Sequence, residues 1–233
     1  MLFRSKVQAA DGKPIAYLLD YADHAEVMFR SVTRDGGYEV SGDLPGVAAK
    51  LIEDNVPGAP VVLFASSAGG NQLPIFKSLQ PKQYLPAGDE GALGWALLDV
   101  QARRLANSAL ATVAEMPAGT AEVKLAASSK LVPCPGKDPK QATVQIPLGL
   151  IRINDIALAT VAGDVGTEIG EKFKAASPLK NSTMITMTSG SIGYILSDSS
   201  YRLETHGVKG SPLSAGCAEN AIVQGLVGMI GQP

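Results

Sequence analysis

His24 and His206 are the only imidazoles in this 233-residue chain, so a zinc site needing two or three histidines has no others to draw on. His24 closes a short apolar run, in Ala22-Asp23-His24-Ala25-Glu26, and strand ends are where functional side chains are often carried. A surface histidine in a polar turn is the plainer reading of the same residues. His206, in Glu204-Thr205-His206-Gly207, reads as a loop residue. The most unusual stretch is Phe64-Ala65-Ser66-Ser67-Ala68-Gly69-Gly70-Asn71-Gln72. Small residues directly after a buried strand let backbone N–H groups approach a ligand and stabilise an oxyanion. A tight turn out of the strand accounts for the same composition. No Walker A sequence, dinucleotide-binding glycine pattern, H-E-x-x-H or G-x-S-x-G elbow is present. Gly163-Asp164-Val165-Gly166 and Gly190-Ser191-Ile192-Gly193 are glycine-rich but match none of these, and Asn181-Ser182-Thr183 is a formal glycosylation sequon.

Composition narrows the class. Twenty basic against 22 acidic residues give a net charge of −2, with no Lys/Arg run, which excludes the electrostatic footprint of a nucleic-acid binder. No apolar run approaches ~18 residues, so no transmembrane helix is expected. Met1 to Lys6 lack the apolar segment of a signal peptide. Cys134 and Cys217 are too few for a disulfide framework and read as lone thiols.

The elements that must position these residues follow from hydrophobic period and punctuation. Ile15 to Tyr21 and Pro60 to Ala65 read as buried strands, bounded by Asp11-Gly12-Lys13-Pro14, Pro57-Gly58 and Gly69-Gly70. Asp43-Leu44-Pro45-Gly46 predicts a helix start with Asp43 as cap, followed by Val47/Leu51 and Ala48/Ile52 pairs. Leu98, Ala102, Leu105, Ala109, Val113 and Met116 mark a long helix from about Gly91 to Met116. Val123 to Val132 reads as a strand before a Cys134–Pro139 loop, and Gln145–Ile153 and Ile156–Val161 as a hairpin about Asn154-Asp155. Thr167 to Ala175 is a helix with Ile169 and Phe173 inward, Thr183 to Thr188 a half-buried strand, and Ala215 to Ile230 a terminal helix. On that strand Met184 and Met187 are expected on opposite sides, as packing residues. The expected class is α/β or α+β: a mixed sheet flanked by helices in a single domain.

Several segments, in this order, resemble the neutral/alkaline (non-lysosomal) ceramidases, zinc amidohydrolases that split N-acylsphingosine into sphingosine and fatty acid. They are DGKPIAYLLDYADHA, SGDLPG, LFASSAGGNQLP, INDIALATVAGDVGTEIG, MTSGSIGYILSDSSYR and SAGCAEN. The likeness runs from about Val7 to Ile230 and corresponds to the later part of that family's N-terminal catalytic domain.

The resemblance implies a Zn2+ cofactor held by His24, Asp164 and Tyr194, which should converge on one point. Asp164 stands where the family has a Glu, one methylene longer. His206 stands at a second tyrosine that helps hold the oxyanion, and histidine can still donate a hydrogen bond or a proton there. Asn71 is the catalytic donor expected from the loop, with Ser66, Ser67, Gly69 and Gly70 lining the substrate. Leu73 replaces a serine and supplies neither nucleophile nor donor. The family's first zinc histidine has no counterpart, so the chain is expected to be a fragment of a lipid-amide hydrolase, with Met1 to Ser5 a non-native scar. The alternative is a ceramidase-like domain that only binds a lipid or glycan. A secreted or periplasmic location is also implied by the resemblance alone.

Overall fold

The computed structural model describes residues 3–29, 40–76 and 91–231; Met1 and Leu2 of the expected scar lie outside them. It has the mixed α/β class expected, with sheets flanked by helices. The chain gathers into two compact units, 1–64 with 73–119, and 65–72 with 120–233.

In the first unit, β1 (Phe3–Gln8), β2 (Pro14–Tyr21) and β3 (Val61–Ser66) form one sheet in that order. β1 and β2 are antiparallel, from Phe3 opposite Leu19 to Gln8 opposite Pro14, across the Asp11-Gly12 turn. Phe3 and Ser5 of the expected scar therefore take part in this ladder. α1 (Asp43–Asn55) buries Leu44, Ala48 and Ile52, one residue per turn on a single face. α2 (Gly91–Glu115) buries Leu98, Ala102, Leu105, Ala106 and Ala109 against it, while Arg103 and Arg104 stay exposed. The expected stripes hold.

Asp43 does not act as the expected helix cap. Gly42 occupies the cap position and Asp43, at φ 44°, is the first helical residue. Its carboxylate turns back, accepting from the N–H groups of Leu44 (2.6 Å), Met28 (2.9 Å) and Val27 (3.2 Å). A buried carboxyl with three backbone donors has its hydrogen bonds satisfied, and here it fastens the segment after β2 to α1.

The second unit is built on β4 (Leu125–Pro135), β5 (Thr143–Ile153), β6 (Ile156–Val161) and β8 (Asn181–Thr186), in that spatial order. β4–β5 and β5–β6 are antiparallel and β6–β8 parallel, so the sheet is mixed. The predicted hairpin turns at Asn154, φ 53°, whose side chain joins Lys124 N–H and Glu122 C=O. α3 (Thr167–Ala176) buries Ile169 and Phe173 as expected, and α5 (Ala218–Ile230) buries Ile222, Leu226 and Met229. β8 ends at Thr186 rather than Thr188, because Met187 and Ser189 both take φ 58° and leave the extended region. Met184 is buried in the core and Met187, beyond the strand, is exposed.

The reading of the two cysteines as lone thiols is overturned. Cys134 and Cys217 are joined in a disulfide, with Cα atoms 5.7 Å apart. β4 continues through Cys134 to Pro135, which the Pro-rich composition had read as loop, and carries the first sulfur to the start of α5. Around the bridge, Lys137 N–H donates to Pro212 C=O and Ser214 N–H to Pro135 C=O.

Candidate functional site

The second unit brings together most of the residues singled out above. After β6 the chain passes Ala162-Gly163 into β7 (Asp164–Val165), which pairs in parallel with β9 (Tyr194–Ile195). Asp164 and Tyr194 are direct partners in this ladder, with Asp164 N–H donating to Gly193 C=O at 2.9 Å. Partners across a ladder share a face at the ~4.8 Å spacing of strands. The two residues, thirty positions apart, are thus paired on one face of the ladder by backbone hydrogen bonds.

The loop from Ser66 to Gln72 crosses directly over Asp164. Gly70 N–H donates to Val165 C=O at 2.8 Å. A Cβ at Gly70 would stand 2.7 Å from the Asp164 carbonyl oxygen and 2.9 Å from its carboxylate Oδ1, so only glycine fits. The sequence leads us to expect these glycines to let backbone approach a ligand; at Gly70 the close approach is instead to Asp164 of the protein itself. Gln72 N–H returns to Gly69 C=O, so two of the loop's amides are committed internally.

The rest of the loop is anchored to α3 and β8. Asn71 Oδ1 accepts from both the N–H and the hydroxyl of Thr167, each at 2.9 Å, and Asn71 Nδ2 donates to Glu168 at 3.0 Å. Asn71 thereby caps α3 from 96 positions away, doing what its formal cap Gly166 has no side chain to do. The carboxamide expected to be catalytic is placed here as a cap. Ser67 is buried and donates its hydroxyl to Met184 C=O at 3.1 Å, while Ser66 C=O accepts from the Thr186 hydroxyl. No local signal marks Asn71 as a cap, because helix and cap are far apart in sequence. We expect Asn71→Ala to lower the stability of the chain by about 1 kcal/mol, measured by thermal unfolding.

Tyr194 also meets His206, the other residue assigned there. Their rings pack edge to face with centroids 5.8 Å apart. His206 opens the short helix α4 (His206–Gly210), capped by the Thr205 side chain accepting from Val208 N–H. The Tyr194 ring lies over Gly207 and Gly210 of that helix, where side chains would crowd it. Nearby Tyr201 donates to or accepts from Ser211 at 3.0 Å, and burial holds its phenol above the usual range.

His24 belongs to the first unit, where its N–H donates to Asp23 Oδ1 at 2.9 Å and its C=O accepts from Glu26 N–H. Burial pushes the Asp23 carboxyl up to about 6, against the lowering by its hydrogen bond to His24. Leu73, the residue after the loop, is 55% exposed. Among the described residues no three His, Cys, Asp or Glu side chains gather as a metal site. The donor types assembled in the second unit are a carboxylate, a phenol and an imidazole, each a group that zinc accepts as oxygen or nitrogen ligand. In kind they fit; with His206 kept as a hydrogen-bond donor, Asp164 and Tyr194 make two ligands, and a catalytic zinc takes at least a third from elsewhere.

No family model matches the chain. No curated protein matches it either. Solved structures do. The chain is similar to a ceramidase described as complexed with C2, at 14% identity and a TM-score of 0.69, over 97% of this chain and 46% of that one. It is similar also to the neutral ceramidase of Pseudomonas aeruginosa, at 15% identity and a TM-score of 0.68, over 97% and 45% of the two chains. At such identities the likeness is one of fold. The chain spans less than half the length of these proteins. No helix among the described residues is long and apolar enough to cross a membrane.

Proposed function

We propose that this chain carries part of the catalytic centre of a ceramidase-like amide hydrolase that depends on zinc and acts on a lipid-like N-acyl substrate. The observation that carries the reading is the β7–β9 ladder, which sets Asp164 beside Tyr194 under the Gly70 crossing. In this reading the Asp164 carboxylate and the Tyr194 phenol oxygen hold the metal, with His24 as the nitrogen ligand. Zinc, when bound, supplies a polarised carbonyl and a water acidic enough to attack at neutral pH.

The chain's own residues do the rest. Asp164 is kept in place by its ladder and by the loop above it. His206, braced against Tyr194, is the donor positioned to hydrogen-bond the substrate oxygen as charge develops on it. Gly70 and Gln72 have already spent their amides inside the protein, so neither of these two is the oxyanion donor. The Cys134–Cys217 bridge supports a secreted or periplasmic site of action, since such bonds persist in oxidising compartments.

The test is zinc binding and hydrolysis measured on the same preparations. Asp164→Ala and Tyr194→Phe should each weaken zinc at least about tenfold, by the measure of what even outer partners of a metal contribute. Cleavage of an N-acylsphingosine, assayed in the longest form of the protein that can be made, should fall with zinc occupancy. Zinc affinity unmoved by both substitutions would refute the assignment. Saturable lipid binding without zinc or cleavage would instead favour a binding domain, a reading that Leu73 at the family's serine position supports.

A further inference from the structure

β4 is the outermost strand of the second unit's sheet, and among the described residues nothing pairs with its outer edge between Leu125 and Leu131. Its two ends fix which way its backbone groups point. Asn154 N–H donates to Lys124 C=O, and Gly136 N–H donates to Ala142 C=O, so the even-numbered positions face β5. Between these points the register runs one to one, from Leu125 opposite Ile153 to Pro135 opposite Thr143, with no bulge. Backbone groups alternate sides along a strand, so the N–H and C=O of Leu125, Ala127, Ser129 and Leu131 point outward. Beyond them the edge is closed. Pro133 and Pro135 have no N–H, and Pro135 C=O already accepts from Ser214. The seven residues 125–131 are exposed, and Lys130 is the one charge among them. A straight, uncharged, unpaired edge of this kind is a template for another strand.

We propose that β4 pairs antiparallel with β4 of a second copy of this chain, about a two-fold axis at Ser128. The sequence itself selects that occupant and that register. With the axis at Ser128, Leu125 of each copy falls opposite Leu131 of the other, Ala127 falls opposite Ser129, and every outward N–H meets an outward C=O. Moving the axis on to Ser129 sets Leu125 against Pro133, which has no N–H; moving it back to Ala127 carries Leu131 past the start of the strand. Lys130 falls opposite Ala126, so like charges do not meet. The pairing stops at two copies, because the sheet's other edge is taken where Ser67 bridges Ile185 of β8. Seven residues a side is well under the ~20–30 of a standard interface, so the pair is reversible, with a Kd on the order of 100 μM. None of these residues belongs to the Asp164–Tyr194 site, so this inference and the zinc reading stand or fall separately.

Sedimentation of the full chain, followed to several times that concentration, should show a monomer passing into a dimer and nothing larger. Ser129→Pro removes an outward N–H and no bond to β5, so it should weaken the pairing at least tenfold while the dilute protein unfolds at nearly the parent's temperature. Cysteine substitutions test the register, and decide the matter alone if the proline variant does not fold. Antiparallel partners that exchange no hydrogen bonds have Cα atoms ~4.5 Å apart, within reach of a disulfide. Ser128→Cys should therefore cross-link to its own copy under mild oxidation. Ala126→Cys and Lys130→Cys, each ~14 Å from its own copy in this register, should not cross-link alone and should do so when mixed. A monomer at every concentration, pairing undiminished in Ser129→Pro, or cross-linking of Ala126→Cys alone as complete as that of Ser128→Cys would each overturn the proposal.

Discussion

Gly70→Ala is expected to destabilise the second unit by about 2–3 kcal/mol, through overpacking against groups that cannot move away. The added methyl would meet the carbonyl oxygen and carbonyl carbon of Asp164 at 2.7 and 3.0 Å, both backbone atoms tied into the β7–β9 ladder. A flexible side chain could yield; a hydrogen-bonded strand cannot do so cheaply. Relief requires the loop to lift, which breaks the bond from Gly70 N–H to Val165 C=O and disturbs the Asn71 cap on α3. The control lies in the same unit. Gly228 is exposed within α5 and its added methyl would meet nothing, so Gly228→Ala should stabilise by up to about 1 kcal/mol. Thermal unfolding of the two variants should therefore move in opposite directions, the first downward by about 10 °C. Equal and small shifts would mean that the loop does not press on Asp164.

Loss of the Cys134–Cys217 bridge should cost about as much or more. It joins residues 83 positions apart, and closing so long a loop removes about 4–5 kcal/mol of chain entropy from the unfolded state in the simplest treatment. Measured losses for native bridges run at about 2–5 kcal/mol, so the Cys134→Ser/Cys217→Ser double variant should unfold about 10 °C or more below the parent. Reducing agent should have the same effect on the parent and none on the variant. The bridge holds the far end of β4 to the entry of α5, which lies across the same sheet, so the helix is the element expected to loosen first. Thiol titration of the unreduced, denatured parent should find no reactive sulfur; two titratable thiols would contradict the bridge.

What could be read beforehand divides along physical lines. Elements stabilised by their own periodicity were legible: the Leu98/Ala102/Leu105/Ala109 stripe of α2, Ile169 and Phe173 of α3, and the hairpin about Asn154. Features created by contact between distant segments were not. Asn71 lies among loop residues and becomes a cap only because the fold brings Thr167 to it. Asp43 has every attribute of a helix cap, and its departure depends on the N–H groups of Val27 and Met28, which no local window contains. Two cysteines with 82 residues between them carry no signal for pairing until β4 and α5 share a sheet face. At the candidate site, the loop and its glycines stood out from composition. Asp164 and Tyr194 did not: each is an ordinary residue in its own segment, and only likeness to a family gave them a role, while His206 stood out from its segment only as one of two histidines.

The β7–β9 ladder has a consequence for how this region can change. Because strand partners alternate faces, a slip of one residue in this pairing would turn Asp164 away from Tyr194 altogether rather than displace it slightly. The two residues thus keep their pairing in this register alone, while the stretch from Met187 to Gly193 that joins β8 to β9 carries no ladder of its own. Met187, Thr188 and Ile192 donate their N–H groups to Gly163, Val161 and Ala162, so chain length can change only at the exposed Ser189-Gly190 tip, provided that Gly193 still presents its carbonyl to Asp164. That turn is the natural place to graft a label or a foreign peptide, with the carboxylate–phenol spacing as the readout of whether the graft was tolerated.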